Sequence, residues 1–384
     1  MNPTVEAEQA TRRAQVVEAL ADAVATLDRA PPLHVAVDGL SGPTTRALAD
    51  DVGRALTDRG RRCRRVTLDA RSLLHPTGPD AARLLHRAGP GDDLVLVDGC
   101  FLQHPEFLGA WELVVFLREG AGSPGPDPAD RAADGSQDRA CAGARYLTQV
   151  DPERTADIVV DLHDPAWPVI RRLDPVVADR LGPAVQLAET RAFFAPRAAS
   201  WEQQFPDDDP AYGAAVAELG LRPGQTALDA GCGTGRALPH LRTAVGEAGH
   251  VLGFDLTPEM LATARRHGRH AHALLVLADA RRLPLPAGSV DGGFAAGLLP
   301  HLPDPGLGLA ELARVIALGG RLVLFHPSGR AALAARHGRR LREDDLLARD
   351  PLRHRLQRTG WWLARYDDRP GRFLAVAERV SLLP

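Results

Sequence analysis

The chain has 384 residues, 46 basic and 49 acidic, for a net charge of −3, with hydrophobic residues making up 45%. That length suffices for two cores of ordinary size and excludes a fibrous or disordered chain. The near-neutral balance gives no electrostatic case for a nucleic-acid partner or an anionic membrane. Every basic residue is an arginine, which excludes Schiff-base and phosphate-loop lysine chemistry. Cys63, Cys100, Cys141 and Cys232 form no C-x-x-C pair and have no histidine at ligand spacing, so reduced thiols and no metal centre are expected. Residues 1–13 are polar and no apolar run reaches bilayer length, so a cytoplasmic protein is expected.

Val16, Val17, Leu20, Val24 and Leu27 fall at helical spacing and predict an opening amphipathic helix. Residues 34–39 (HVAVDG) then predict a buried strand, residues 40–46 (LSGPTTR) a loop, and residues 47–59 a helix. Farther on, residues 92–98 form an apolar run ending in Asp98, followed by Gly99-Cys100-Phe101-Leu102, and residues 111–117 predict the next strand. This succession resembles a P-loop kinase of the uridine kinase kind, over residues 15–172. The resemblance implies a nucleotide site in which Asp98 takes the magnesium-linked role and Asp69 stands beside the nucleoside. Arg131 and Arg139, within a polar loop over residues 119–144, would face phosphate. The chemistry departs from that pattern, because the loop glycine, the lysine and the magnesium hydroxyl are replaced by Thr44, Thr45 and Arg46. The planar fork of arginine is not equivalent to the point charge of lysine. A fold kept for packing, nucleotide sensing or acceptor binding, without phosphoryl transfer, is therefore expected.

Residues 165–183 read as a hinge, which places a domain boundary between 178 and 179. Residues 190–212 concentrate Phe193, Phe194, Trp201, Phe205 and Tyr212. Trp201 or Tyr212 closes over a ligand in one reading; in the other the segment is a helix packed on a sheet edge.

Residues 227–236 (ALDAGCGTGR) carry an apolar run ending in Asp229, then Gly231, Gly233 and Gly235 at alternate positions. This predicts strand, tight loop and helix, the helix starting at Arg236. A dinucleotide fingerprint places its third glycine where Arg236 stands, so pyrophosphate is the weaker reading. A second run ends in Asp255, followed by Leu256 and a Thr257-Pro258-Glu259 helix start. A third reaches Asp279-Ala280, and a fourth, residues 290–296, leads through Ala296 and Gly297 to His301. Residues 319–325 predict a fifth strand, and residues 361–366 and 373–377 a closing antiparallel hairpin. The ordered series resembles class I S-adenosylmethionine-dependent methyltransferases.

The resemblance implies an α/β chain of two doubly wound domains: a kinase-like sheet over 1–178 and a seven-stranded Rossmann-like methyltransferase sheet over 179–384. It also implies S-adenosylmethionine as cofactor. The methionine part would lie on Asp229, Gly231, Cys232, Gly233 and Gly235, the ribose on Asp255 beside Leu256, and the adenine on Asp279 and Ala280, with Ala296, Trp201 and Tyr212 completing the site. His301 and His326 each follow a strand's carboxyl end and are candidates for a catalytic base, or for a loop-shaping role. The arginines between 321 and 372 read either as a solvated helical face or as an attraction for an anionic acceptor. An Asn-Pro-Pro-Tyr motif is absent after residue 294, which favours a small-molecule acceptor over nucleic acid. The alternative function is a regulatory protein that binds a nucleotide or metabolite without catalysis.

Overall fold

In the computed structural model, residues 3–68, 91–119, 136–204, 208–336 and 340–381 are described. Asp69, Arg131, Phe205 and the side chain of Arg139, singled out above, lie outside them. The chain divides into two compact units, Met1–Glu189 and Thr190–Pro384. Each is built on a mixed β-sheet with helices, an α/β architecture. No helix among the described residues is long and apolar enough to cross a membrane.

The first unit contains β1 (Leu33–Gly39), β2 (Cys63–Leu68), β3 (Leu94–Gly99), β4 (Leu113–Glu119), β5 (Ile158–Leu162) and β6 (Val169–Leu173). Their order is β2-β3-β1-β4-β5-β6, parallel except for β6. Parallel strands covered on both faces read as continuous apolar runs, and β1 does so. Val35 and Val37 pack against the helices Pro3–Ala25 and Gly42–Asp58, while Ala36 joins Val95, Val97, Phe116 and Tyr146 on the opposite face.

Two expectations need correction here. The expected hinge over 165–183 contains β6, whose Val169 and Ile170 are buried; two apolar residues followed by two arginines give too short a pattern to announce a strand. The polar loop expected over 119–144 gives way at Ser136 to a helix ending at Gln149.

In the second unit, β7 (Thr226–Ala230), β8 (His250–Asp255), β9 (Leu274–Leu277), β10 (Val290–Ala296), β11 (Ile316–His326), β12 (Trp361–Arg369) and β13 (Arg372–Arg379) form one sheet. The order is β12-β13-β11-β10-β7-β8-β9, with β13 antiparallel to both of its neighbours, as the expected closing hairpin requires. The chain runs outward from β7 to β9 and then returns past β7 to β10. Ligands of open α/β sheets bind at such a reversal, outside the carboxyl ends of the strands. Here that crevice lies above β7 and β10.

Arg12 anchors the first unit from inside. Its Nε donates to the Pro168 carbonyl at 2.8 Å, and its guanidinium pairs with Glu189, which also accepts from the Ile170 amide at 2.6 Å. Both side chains are buried. Removing one partner leaves the other charge buried and alone, so Arg12→Ala should lower the unfolding free energy by ~3–5 kcal/mol in urea denaturation. A loss below ~1 kcal/mol, the range of exposed pairs, would contradict a buried anchor.

Candidate functional site

The glycine loop joins β7 to the helix Leu238–Val245; the helix begins two residues later than Arg236, which lies in the preceding turn. Gly231, Gly233 and Gly235 have φ values of 71°, 54° and 83°, a region that favours glycine. The loop's amides are used internally. Those of Gly231 and Cys232 donate to the Phe254 carbonyl at 2.8 and 2.9 Å, that of Gly233 to Asp255 Oδ2 at 2.8 Å, and that of Gly235 to the Cys232 carbonyl at 2.8 Å. A pyrophosphate cradle needs free amides, so this geometry disfavours a dinucleotide for a physical reason.

What the loop offers instead is a close-approach surface. A Cβ on Gly231 would lie 2.9 Å from Leu298 Cδ1, and one on Gly235 2.8 Å from Leu238 Cδ1, whereas one on Gly233 would meet nothing within 4 Å. Gly233 therefore faces open space. Asp229 and Asp255 stand at the carboxyl ends of neighbouring parallel strands. Asp255 accepts from the amides of Gly233 and Thr257, the latter at 2.8 Å, and burial pushes its carboxyl upward. Asp229 is fully buried, and no hydrogen bond to its carboxyl forms among the described residues. Burial, then repulsion from Asp255, pushes it up to about 8. The Cys232 thiol, also buried, is pushed up by burial and by both carboxylates.

At the far end of the crevice, Arg281 holds both oxygens of Asp279, with Nη2 2.9 Å from Oδ2, and Ala280 is buried beside them. The Leu256 carbonyl accepts from Arg191 Nε at 3.0 Å. Ala296, half-buried, ends β10 in register with Phe325.

Trp201 opens a short helix ending at Gln204 and packs edge-on to Phe194, ring centres 5.8 Å apart. Tyr212 lies on Phe325 and Phe294 at 5.1 and 6.1 Å, under the Arg236 guanidinium at 5.1 Å, and burial raises its phenol. Its ring is packed on the sheet. Glu202, which the sequence reading missed, ties this segment to the glycine loop: Oε1 accepts from Thr234 Oγ1 at 2.6 Å, and Oε2 lies 3.9 Å from Arg236 and 3.8 Å from Arg269. Only the pairing of Glu202 with three residues distant in sequence reveals it, and no local pattern encodes that.

The two histidines occupy different surroundings. His301 packs against Phe194 and Phe193, ring centres 4.8 and 6.0 Å apart. His326 ends β11, its Nδ1 lies 2.9 Å from the Ser328 amide and 3.1 Å from the Ser328 carbonyl oxygen, and burial holds the ring below the ordinary imidazole range.

Residues 228–324 match the family described as methyltransferase domain. The second unit carries a class I S-adenosylmethionine-dependent methyltransferase domain. A 37.1 kDa protein of transposon Tn4556 from Streptomyces fradiae is 44% identical over 110 residues, 28% of this chain and 32% of the relative. The demethylmenaquinone methyltransferase of Desulfitobacterium hafniense is 34% identical, over 28% of this chain and 45% of the relative. The chain thus spans less than half the length of these relatives. An S-adenosylmethionine-dependent methyltransferase structure from Aquifex aeolicus covers 50% of this chain and 98% of its own at 24% identity, with a TM-score of 0.37. The cofactor of this methyltransferase domain is S-adenosylmethionine.

In the first unit, the acid near the carboxyl end of β3 has partners within the fold. Asp98 accepts from Arg65 Nε at 3.0 Å and from Thr67 Oγ1 at 2.9 Å, and Arg65 Nη2 also donates to the Arg46 carbonyl at 2.9 Å. Thr45 Oγ1 is turned back onto the Ser41 carbonyl at 2.7 Å. Glu119, at the end of β4, is hydrogen-bonded to Ser41 and Thr44, and burial pushes it up to about 7.

The native state keeps a proton on Asp229 that the unfolded chain releases above its ordinary value of 3.8. The stability contributed by this proton is complete below that value and is lost as pH rises towards about 8. Asp229→Asn should therefore melt close to the parent near pH 4 and well above it near pH 8, followed by thermal denaturation across pH. A variant less stable than the parent at pH 8 would contradict a buried, unpaired carboxyl.

Proposed function

We propose that this chain transfers a methyl group from S-adenosylmethionine to a small-molecule acceptor. The observation that carries the reading is the loop over β7, with its amides satisfied internally, Gly233 facing open space and Asp229 unpaired below. When bound, the cofactor supplies a methyl group already activated on a sulfonium, so the protein's task is alignment, exclusion of water and, where the acceptor requires it, proton removal. Asp229, Gly231, Cys232, Gly233 and Gly235 hold the methionine part. Asp255 and Leu256 take the ribose, Asp279 and Ala280 the adenine, and Ala296 borders the transfer site.

Residues 191–204 cover the crevice. Arg191 fastens them to the loop after β8 and Glu202 to the glycine loop. Trp201, half-buried, is the aromatic residue we assign to closure, and Tyr212 forms the floor beneath it. A demethylmenaquinone methyltransferase among the relatives supports a small acceptor, as do the four free cysteines a cytoplasmic setting.

The first unit is a uridine kinase-like domain that has given up phosphoryl transfer. Three observations support this: an internal guanidinium occupies Asp98, Thr45 faces its own helix, and Glu119 brings a carboxyl against the loop where phosphate would need donors.

Isothermal calorimetry with S-adenosylmethionine tests the central reading. The parent should bind, and Asp255→Ala should lose at least ~1 kcal/mol, the scale of a removed hydrogen bond. No binding by a folded parent would contradict the reading, and so would equal affinity in the variant.

A further inference from the structure

We propose that Glu202 is a positioning residue that latches the cofactor site: residues 195–204 must lift from the glycine loop for the cofactor to enter or leave, and Glu202 sets how often they do. The inference rests on the methyl-transfer reading above and names what controls exchange at that site. The segment is fastened at three places. Before it, Arg191 Nε donates to the Leu256 carbonyl at 3.0 Å; in its first half, the turn Ala195–Ser200 packs on the helix Pro258–Arg266; in its second, Glu202 Oε1 accepts from Thr234 Oγ1 at 2.6 Å. Leu256 follows Asp255, and Thr234 follows Gly233. The fastenings therefore fall on both loops that carry the proposed cofactor contacts, one after β7 and one after β8.

The hold on this segment is polar more than apolar. Of residues 195–203 only Ala198 is buried, and the segment consists of one turn and the short helix Trp201–Gln204. Elements with so little burial open well below the cost of global unfolding. Glu202 supplies the grip, because Oε1 holds the buried Thr234 while Oε2 lies 3.9 Å from Arg236 Nε and 3.8 Å from Arg269 Nη2. Release strands no buried charge. Arg236 keeps Asp208 at 3.5 Å and the Tyr212 ring at 5.1 Å, Arg269 is already partly exposed, and Glu202 turns to water. Opening thus avoids the penalty of an unpaired buried ion, and what resists it is one hydrogen bond to a carboxylate and two longer ion pairs.

The partners of Glu202 are protein groups, so its contacts count equally in the free and the loaded site. Weakening them leaves affinity nearly unchanged and speeds entry and exit by the same factor. A residue that merely supports the shape of the loaded site would change exit alone.

Stopped-flow mixing of the full chain with S-adenosylhomocysteine, followed by tryptophan fluorescence, tests this. Glu202→Ala should raise the association and dissociation rates together by about tenfold or more, the scale of a hydrogen bond to a charged group, with a dissociation constant within about threefold of the parent. Glu202→Gln, which still accepts from Thr234, should fall between the two. Thr234→Val removes the same hydrogen bond from the other side, and adding it to Glu202→Ala should accelerate exchange no further. Unchanged rates in Glu202→Ala, faster dissociation alone, a glutamine variant as fast as the alanine one, or a double variant in which the effects multiply would overturn the proposal. Hydrogen exchange of residues 195–204 in the ligand-free chain separates the two readings. If the parent binds no S-adenosylhomocysteine but Glu202→Ala exchanges faster there, the latch stands and the methyl-transfer reading fails; unchanged exchange would overturn the latch itself.

Discussion

The second unit depends on two carboxyl groups that its sheet forces together. Parallel strands deliver Asp229 and Asp255 to the same edge, and burial leaves little water to screen them. Asp255 is relieved by the amides of Gly233 and Thr257, and Asp229 is relieved by keeping a proton. The glycine loop follows from that arrangement. Its amides are drawn to Phe254 and Asp255, which needs positive φ at three positions and leaves the face of Gly233 bare. A site arranged this way is poorly suited to an anion and well suited to a cation.

The first unit starts from a comparable strand–loop–helix and pairs its strand-end acid differently. Asp98 is neutralised by Arg65, and the loop after β1 is held by Glu119 through Ser41 and Thr44. Burial nevertheless pushes Glu119 up to about 7, and its Oε1 has no hydrogen-bond partner among the described residues.

Much of this was legible in the sequence, because its signals are local. Apolar runs ending in Asp229, Asp255 and Asp279 mark strand ends, and alternate glycines mark the turn between strand and helix. What stayed hidden depends on partners far apart in the chain. Glu202 matters through Thr234, Arg236 and Arg269. The strand β6 exists because β5 offers an edge to Val169–Leu173. Nothing in a sequence shows that Ser328 occupies Nδ1 of His326, so two histidines that look interchangeable as bases differ once folded. The helix start was misplaced at Arg236 because its buried guanidinium is held over Tyr212 in the turn, and such a contact leaves no periodic trace.

The measurement that bears most directly on the account is the proton balance of cofactor binding: calorimetric titration of S-adenosylmethionine at pH 7 in buffers of different ionisation enthalpy. A cation bound over Asp229 lowers its pKa from about 8, so binding should release roughly one proton, and affinity should rise with pH until about 8. Asp229→Asn should abolish the release. Binding without proton release in the parent, or with affinity falling as pH rises, would contradict an account in which an unpaired buried carboxyl receives the cofactor's charge.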